Sequence, residues 1–167
     1  MNKLLILDRD GVVNIDYGHV YLEKDFRFMP GIFEFIKKYQ DKGYLIVIAS
    51  NQAGIAKGLY SMEQYKNINY YMLEEFEKNG IHISKTYVCP HRDSDNCDCH
   101  KPKPGMILKA LAEFEADPKN SVAVGDKMSD MDCYHEANIG TLYFLKGENA
   151  LEERDYKFNV IESLIEE

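Results

Sequence analysis

Five short apolar runs rich in β-branched and aromatic residues punctuate the chain: "KLLIL" (3–7), "YLIVIAS" (44–50), "KTYVC" (85–89), "SVAVG" (121–125) and "TLYFL" (141–145). Each reads as a short buried strand. The segments between them space their apolar residues as helices do: "GIFEFIKKYQDKG", with Ile32, Phe33, Phe35, Ile36 and Tyr39, then "SMEQYKNINYYMLEEFEKNG", "PGMILKALAEFE" and "SDMDCYHEANIG". Ser61 and Ser129 are the predicted N-caps, Pro104 falls just inside a helix start, and Gly43, Gly80 and Gly140 follow helix ends. The stretch "NVIESLIEE" near the C-terminus reads as a short terminal helix, and the last twenty residues show no evident chemistry. Alternation of strand and helix predicts an α/β fold, a doubly wound, mostly parallel, Rossmann-like sheet with helices on both faces. No repeat, low-complexity tract or composition break divides residues 1–167, so a single domain is expected.

Ligands of such sheets bind beyond the carboxyl ends of the strands, which directs attention to the residues just after each run. The first run leads into "DRDGVVN", placing Asp8 and Asp10 on the same side of an extended chain with Gly11 behind them. Two readings stand: a solvated acidic turn, or a pair whose repulsion a divalent cation relieves while one carboxylate acts as nucleophile and the other moves a proton. The second run ends at "SNQAG", where Ser50, Asn51, Gln52 and Ala53 are either ordinary loop composition or, beside an anion at Asp8, donors for phosphate oxygens. The fourth run ends at "VGDKMSD", supplying Asp126, Lys127 and Asp130. Asp130 fits a helix cap as well as it fits metal support, and Lys127 fits solvent as well as substrate. In "HKPKPG", an ammonium from Lys101 or Lys103 is suited to holding a phosphoryl group against an anionic nucleophile.

Charge and cysteine usage narrow the function. With 20 Lys plus Arg against 28 Asp plus Glu the net charge is −8, which argues against a protein that holds polynucleotide by neutralising phosphates and favours a small soluble substrate. No apolar run approaches the length that spans a bilayer, and the N-terminal one gives way to Asp8 too early for an export segment. Three of the four cysteines lie within eleven residues, in "CPHRDSDNCDCH". That grouping suits metal ligation by reduced thiolates and a cytoplasmic location better than a disulfide framework. Cys89, His91, Cys97 and Cys99 are a ligand set for tetrahedral zinc with no position left for substrate, hence a structural ion, and His100 is a competing ligand. Cys133 reads as a small core residue.

Taken in order, "DRDGVVN", "SNQAG", "KPKPG" and "VGDKMSD" resemble the four motifs of the haloacid dehalogenase superfamily of phosphotransferases, covering residues 8 to about 140. With "CPH" followed by "CDC", the resemblance narrows to the D-glycero-D-manno-heptose 1,7-bisphosphate phosphatases, with the histidinol-phosphate phosphatases as close relatives. It implies a magnesium-dependent phosphatase in which Asp8 forms an aspartyl phosphate and Asp10 is acid and then base. It further implies magnesium held by Asp8, the Asp10 carbonyl and Asp126, phosphoryl contacts from Ser50 and the Asn51 backbone, and Lys101 as the phosphoryl stabiliser, with Lys103 structural. Asp16, Tyr17, Gly18 and His19 become a substrate loop and Lys127 reaches substrate or phosphate; without the resemblance that loop reads as plain surface. The chain has no stretch long enough for a large cap domain. It departs from its relatives at His100, where they usually carry an arginine, so a bisphosphate loses a bidentate anion contact. The expected substrate is a heptose 1,7-bisphosphate releasing its 7-phosphate. Histidinol phosphate or another small monophosphate is the alternative, a zinc-stabilised binding module without catalysis is a further one, and the default assembly is a monomer.

Overall fold

In the computed structural model, which describes residues 1–166, the five apolar runs form β1 (Leu4–Leu7), β2 (Leu45–Asn51), β3 (Ile83–Cys89), β4 (Val122–Gly125) and β5 (Thr141–Leu145). A sixth strand, β6 (Asn159–Ile161), completes one parallel sheet of order β3-β2-β1-β4-β5-β6. Four helices cross between strands: α1 (Ile32–Asp41), α2 (Met62–Lys78), α3 (Gly105–Glu113) and α4 (Met128–Glu136).

Side chains alternate across a strand, so β1 feeds two cores. Leu5 and Leu7 pack on one face with Ile32, Phe35 and Ile36 of α1 and Ile68, Met72 and Phe76 of α2. Leu4 and Ile6 pack on the other with Met106, Ile107 and Ala110 of α3 and Met131, Cys133 and Tyr134 of α4. All four β1 residues are fully buried, which is why the run is uninterruptedly apolar. The strand order reverses at β1, between β2 and β4, and the crevice there is the binding place of doubly wound sheets. The segments numbered 8–31, 52–61 and 90–104, which open from the ends of β1, β2 and β3, hold no element longer than a single helical turn or an isolated bridge. Among the described residues there is no cap domain, and these loops carry the site.

Several boundaries differ from the sequence reading. Residues 159–161 are a strand, paired Tyr143 to Asn159 and Leu145 to Ile161, because extension pairs their main chain with the edge of β5 while burying Ile161. A single turn follows at 164–166, and residue 167, the end of the expected helix, lies outside the described residues. Ser61 does cap α2, its hydroxyl accepting from the Gln64 N–H while the Gln64 side chain accepts from the Ser61 N–H. Ser129 does not cap α4, whose extended N-cap is Lys127, with Asp130 reaching back to it. Pro104 is the N-cap of α3 rather than its first helical residue. After α4, Asn138 takes the left-handed conformation expected of Gly140 (φ 62°). Gly140 serves a close approach instead, since a Cβ there would meet the Lys119 carbonyl oxygen at 1.8 Å.

Candidate functional site

β1 ends one residue before Asp8 and β4 one residue before Asp126, and the Asp8 N–H donates to the Val124 carbonyl (3.2 Å), which holds the two strand ends in register. Carboxylate oxygens of Asp8, Asp126 and Asp130 lie within 4.8 Å of one another, all buried. Gly11 permits this crowding: it has φ 95°, and a Cβ there would sit 1.9 Å from Asp126 Oδ2. Lys101 enters from the loop after β3, and its buried ammonium bridges Asp8 Oδ1 (3.0 Å) and Asp130 Oδ1 (2.9 Å). The other Asp130 oxygen accepts from the N–H groups of Asp126 (3.1 Å) and Lys127 (3.2 Å). Asp130 is therefore both the helix cap and the anchor of Lys101, and both its oxygens are occupied.

Three carboxylates around the bridging Lys101 ammonium, with Lys127 acting on them from nearby, leave uncompensated negative charge. Burial, with the Asp130 charge next in weight, pushes Asp8 up to about 6 despite Lys101. Burial, then Asp8 and Asp130, pushes Asp126 up to about 9. Burial opposes the charged form of Lys101, but Asp130 and Asp8 outweigh it and hold the ammonium well above its ordinary value. Asp126 Oδ1 is buried with no hydrogen-bond donor. An unpartnered carboxylate oxygen beside an anionic neighbour is the donor chemistry of a hard divalent cation, so Asp8 and Asp126 fit such an ion.

This arrangement has a measurable consequence. Above pH about 4 the cation-free folded chain retains protons that the unfolded chain, near 3.8, has released, on Asp8 up to about pH 6 and on Asp126 up to about pH 9. The folded state then binds more protons, so stability without a cation falls as pH rises through that window. A cation requires the ionised carboxylates and reverses the trend. Magnesium at a hundredfold excess over its Kd adds about 2.7 kcal/mol, roughly 5–10 °C in melting temperature for a chain of this size. At fixed magnesium concentration the rise should be larger near pH 8.5 than near pH 5.5; equal rises in a melting experiment would contradict the carboxylate cluster as the cation site.

Asp10 faces the other way and is held by donors: Oδ1 accepts from Arg9 Nε (3.2 Å), Arg9 Nη2 (2.9 Å) and Asn14 Nδ2 (2.9 Å), and Oδ2 from Gln52 Nε2 (3.0 Å). Gln52 also donates to Ser50 Oγ (3.3 Å), and its own carbonyl accepts from Tyr60 Oη, which fixes the amide's orientation. Arg9, buried, continues to the Val20 carbonyl (2.6 Å) and so ties Asp10 to the loop at 16–20. Asn51 grips the Lys101 main chain twice, accepting from its N–H (3.0 Å) and donating to its carbonyl (3.2 Å).

A cavity of about 580 Å³ opens above these groups. Its wall brings together Asp10, Asp16, Gly18, His19, Asn51, Gln52, Ala53, His100, Lys101 and Lys127, all singled out from sequence. Ser50 lies buried beneath the wall. Tyr17 is not on the wall but 61% exposed: Asp16 Oδ1 accepts from the Gly18 N–H (2.9 Å), and this tight turn carries the intervening side chain outward. Sequence reasoning missed Tyr60, Asp93, Pro102 and Ser129 on the wall, and Arg9, Asn14 and Asn149 behind it. Arg9 carried a signal in standing between the two aspartates; Tyr60, nine residues past the end of β2, carried none.

The cysteine loop closes one side of the cavity. Cys89 Sγ lies 3.5 Å from His91 Nδ1 and 3.6 Å from Cys97 Sγ, and Cys99 Sγ lies 3.4 Å from His91 Nδ1 and 3.7 Å from Cys97 Sγ. Tetrahedral zinc with ordinary Zn–S and Zn–N lengths requires ligand separations of about 3.5–3.8 Å. The group therefore fits an ion with four protein ligands and no open position. His100 Nδ1 stands 3.9 Å from Cys89 Sγ, outside the four-ligand group, and the residue lines the cavity. Lys103 Nζ donates to the Cys97 carbonyl (2.6 Å) and braces the loop. Two residues beyond Cys99, the chain delivers Lys101. If the ion is structural, Cys97→Ser should cost roughly 4 kcal/mol or more, the range in which loss of a bound metal falls. Melting and zinc content measured together check this, and an unchanged melting temperature in a zinc-free variant would contradict it.

Residues 3–160 match the family described as polynucleotide kinase 3 phosphatase. The chain is 49% identical over 146 residues to D-glycero-alpha-D-manno-heptose-1,7-bisphosphate 7-phosphatase of Campylobacter jejuni, covering 87% of this chain and 84% of that protein. It is 43% identical over 144 residues to D-glycero-beta-D-manno-heptose-1,7-bisphosphate 7-phosphatase of Vibrio cholerae, covering 82% and 77%. Among solved structures it is similar to D,D-heptose 1,7-bisphosphate phosphatase from B. bronchiseptica complexed with magnesium and phosphate, with TM-score 0.84 and 28% identity over 98% of this chain and 94% of that one.

Proposed function

Because the chain belongs to the polynucleotide kinase 3 phosphatase family, among the heptose-1,7-bisphosphate phosphatases of haloacid dehalogenase fold, we propose that it removes the 7-phosphate of a D-glycero-D-manno-heptose 1,7-bisphosphate through Asp8. One observation carries the reading: a buried Asp8 paired with Lys101 beside an Asp126 oxygen that has no donor. An anionic nucleophile attacking an anionic phosphoryl group needs fixed positive charge at the point of attack. Magnesium held by Asp8, Asp126 and the Asp10 carbonyl would supply more of that charge when bound.

The chain's own residues perform the rest. Asp8 attacks phosphorus while Asp10, oriented by Arg9, Asn14 and Gln52, protonates the departing sugar oxygen. Asp10 then takes a proton from water, which attacks the phosphorus of the aspartyl phosphate and releases phosphate and Asp8. Ser50 and the Asn51 N–H receive the phosphoryl oxygens, and Lys101 neutralises charge throughout. The cavity is of a size usual for small ligands. Asp16 and Asp93 suit sugar hydroxyls, and His19, His100 and Lys127 suit the second phosphate. Cys89, His91, Cys97 and Cys99 would hold zinc, which when bound would fix the loop that carries Lys101. We place this single domain, as a monomer, in the cytoplasm, because its clustered thiols suit metal ligation in the reduced state rather than a disulfide framework.

A second reading, suggested by the family's description, is action on a 3′-phosphorylated polynucleotide end. The net charge of −8 and the carboxylates of Asp16 and Asp93 on the cavity wall oppose a polyanion. Comparing kcat/KM for both anomers of the heptose bisphosphate, histidinol phosphate, simple sugar monophosphates and a 3′-phosphorylated oligonucleotide tests the assignment. The bisphosphate should lead; a kcat/KM no better than for simple monophosphates would overturn it.

A further inference from the structure

The loop between β5 and β6 was silent in the sequence, yet it reaches the carboxylate cluster. Asn149 Nδ2 donates to Asp126 Oδ2 at 2.9 Å. That same oxygen is confined on its other side by the main chain at Gly11, where even a methyl group would collide with it. Oδ2 is thus held between a backbone and an amide, and Oδ1, buried and without a donor, is the oxygen left over. We propose that Asn149 is a positioning residue for the cation, fixing Asp126 so that Oδ1 alone is presented as a ligand.

A buried carboxylate rotates about its last bond unless one oxygen is committed, and each rotamer it samples withdraws a ligand from the ion. The amide commits Oδ2 without adding charge, where a lysine or arginine would compete with the ion for Asp126. The loop is held for this task at both ends: as it leaves β5 the Lys146 N–H donates to the Ile161 carbonyl (2.9 Å), and as it enters β6 Asn159 pairs with Tyr143 and its Nδ2 donates to the Leu142 carbonyl (3.2 Å). The short sixth strand thereby gains a purpose, since pairing it to β5 fixes the loop that carries Asn149. Asn149 also lines a second cavity of about 470 Å³, with Gly11, Asp16 and Asp126, on the far side of Asp126 from Lys101's loop, and it is absent from the substrate cavity wall. Asp16 lines both cavities but Asn149 only the second, so KM at saturating magnesium reads substrate binding apart from the cation.

The inference rests on the proposed magnesium site, and the test keeps the two apart. Magnesium is titrated calorimetrically into wild type and Asn149→Ala, with melting of both in chelator and KM for the sugar phosphate at saturating magnesium. Losing an outer partner of a ligand costs about 10–100-fold in metal affinity. The expected result is a loss of that size in magnesium affinity, with KM and the chelator melting temperature unchanged. Wild type that binds magnesium and a variant that binds it within twofold as tightly would overturn the role of Asn149 alone. Lower melting in chelator in proportion to the lost affinity would overturn it in favour of loop packing. Wild type that binds no magnesium would overturn the site and this inference together.

Discussion

Asp8→Asn is expected to lose at least about 10⁴-fold in kcat, on the scale of removing a nucleophile, while melting in chelator at or above the wild-type temperature. The two halves have different causes. The amide cannot attack phosphorus, so catalysis through the aspartyl phosphate stops. The fold loses nothing, because the Asn side-chain oxygen can still accept from Lys101, and one of three crowded carboxylates is gone. Asp8 is held up near 6 by burial and by Asp130, so its charged form is a cost the folded state bears for function. Steady-state kinetics with melting curves in chelator measure both. Turnover within tenfold of wild type would remove Asp8 from its role, and a lower chelator melting temperature would refute the repulsion.

Lys101→Met carries the second large effect, and it should fall on stability and rate together. Removing one partner from a buried ion pair leaves its charges uncompensated and costs about 3–5 kcal/mol; here Asp8 and Asp130 both lose their ammonium. Losing a preorganised charge at the transferring group costs about 10²–10³ in kcat. Adding Asp130→Asn should restore most of the stability, since the amide oxygen still accepts from the N–H groups of Asp126 and Lys127 while one stranded charge disappears. It should restore none of the rate. Denaturant unfolding of the single and double variants, alongside kcat, separates the effects, and a double variant as unstable as the single one would show that charge is not the cause.

The inner strands were legible because their runs are almost wholly apolar and β3, at the sheet edge, because it mixes β-branched and aromatic residues, and much of the site was legible because its residues follow the ends of those runs. Asp8 and Asp126 needed only the alternation of strand and helix to be brought together across β1 and β4. The cysteine cluster was legible from ligand type and spacing, with the family resemblance choosing His91 over His100 as the fourth ligand. Partner choice was not. Asp130 read equally well as a cap and as metal support because it is the cap and also holds Lys101, a residue 29 positions away whose approach is set by the loop after β3. Arg9 and Asn149 act through contacts with Val20 and Asp126 that only the folded loops create. Tyr17 was misplaced because neighbours in a tight turn point in different directions, and β6 because three residues carry no reliable period.

The claim on which the account depends is that phosphorus is transferred to Asp8, and trapping the phosphoenzyme tests it directly. Asp10→Asn removes the base for the water step, and an aryl phosphate has a leaving group that needs no proton, so the first transfer proceeds and the second stalls. Acid-quenched protein is digested and the modified peptide located by mass spectrometry. The expected result is one phosphoryl group on Asp8, within the peptide containing "LLILD" (4–8), labile to hydroxylamine and absent when Asp8 is also changed to Asn. A phosphoryl group on any other residue, or none while aryl alcohol is released in a single-turnover burst, would contradict it.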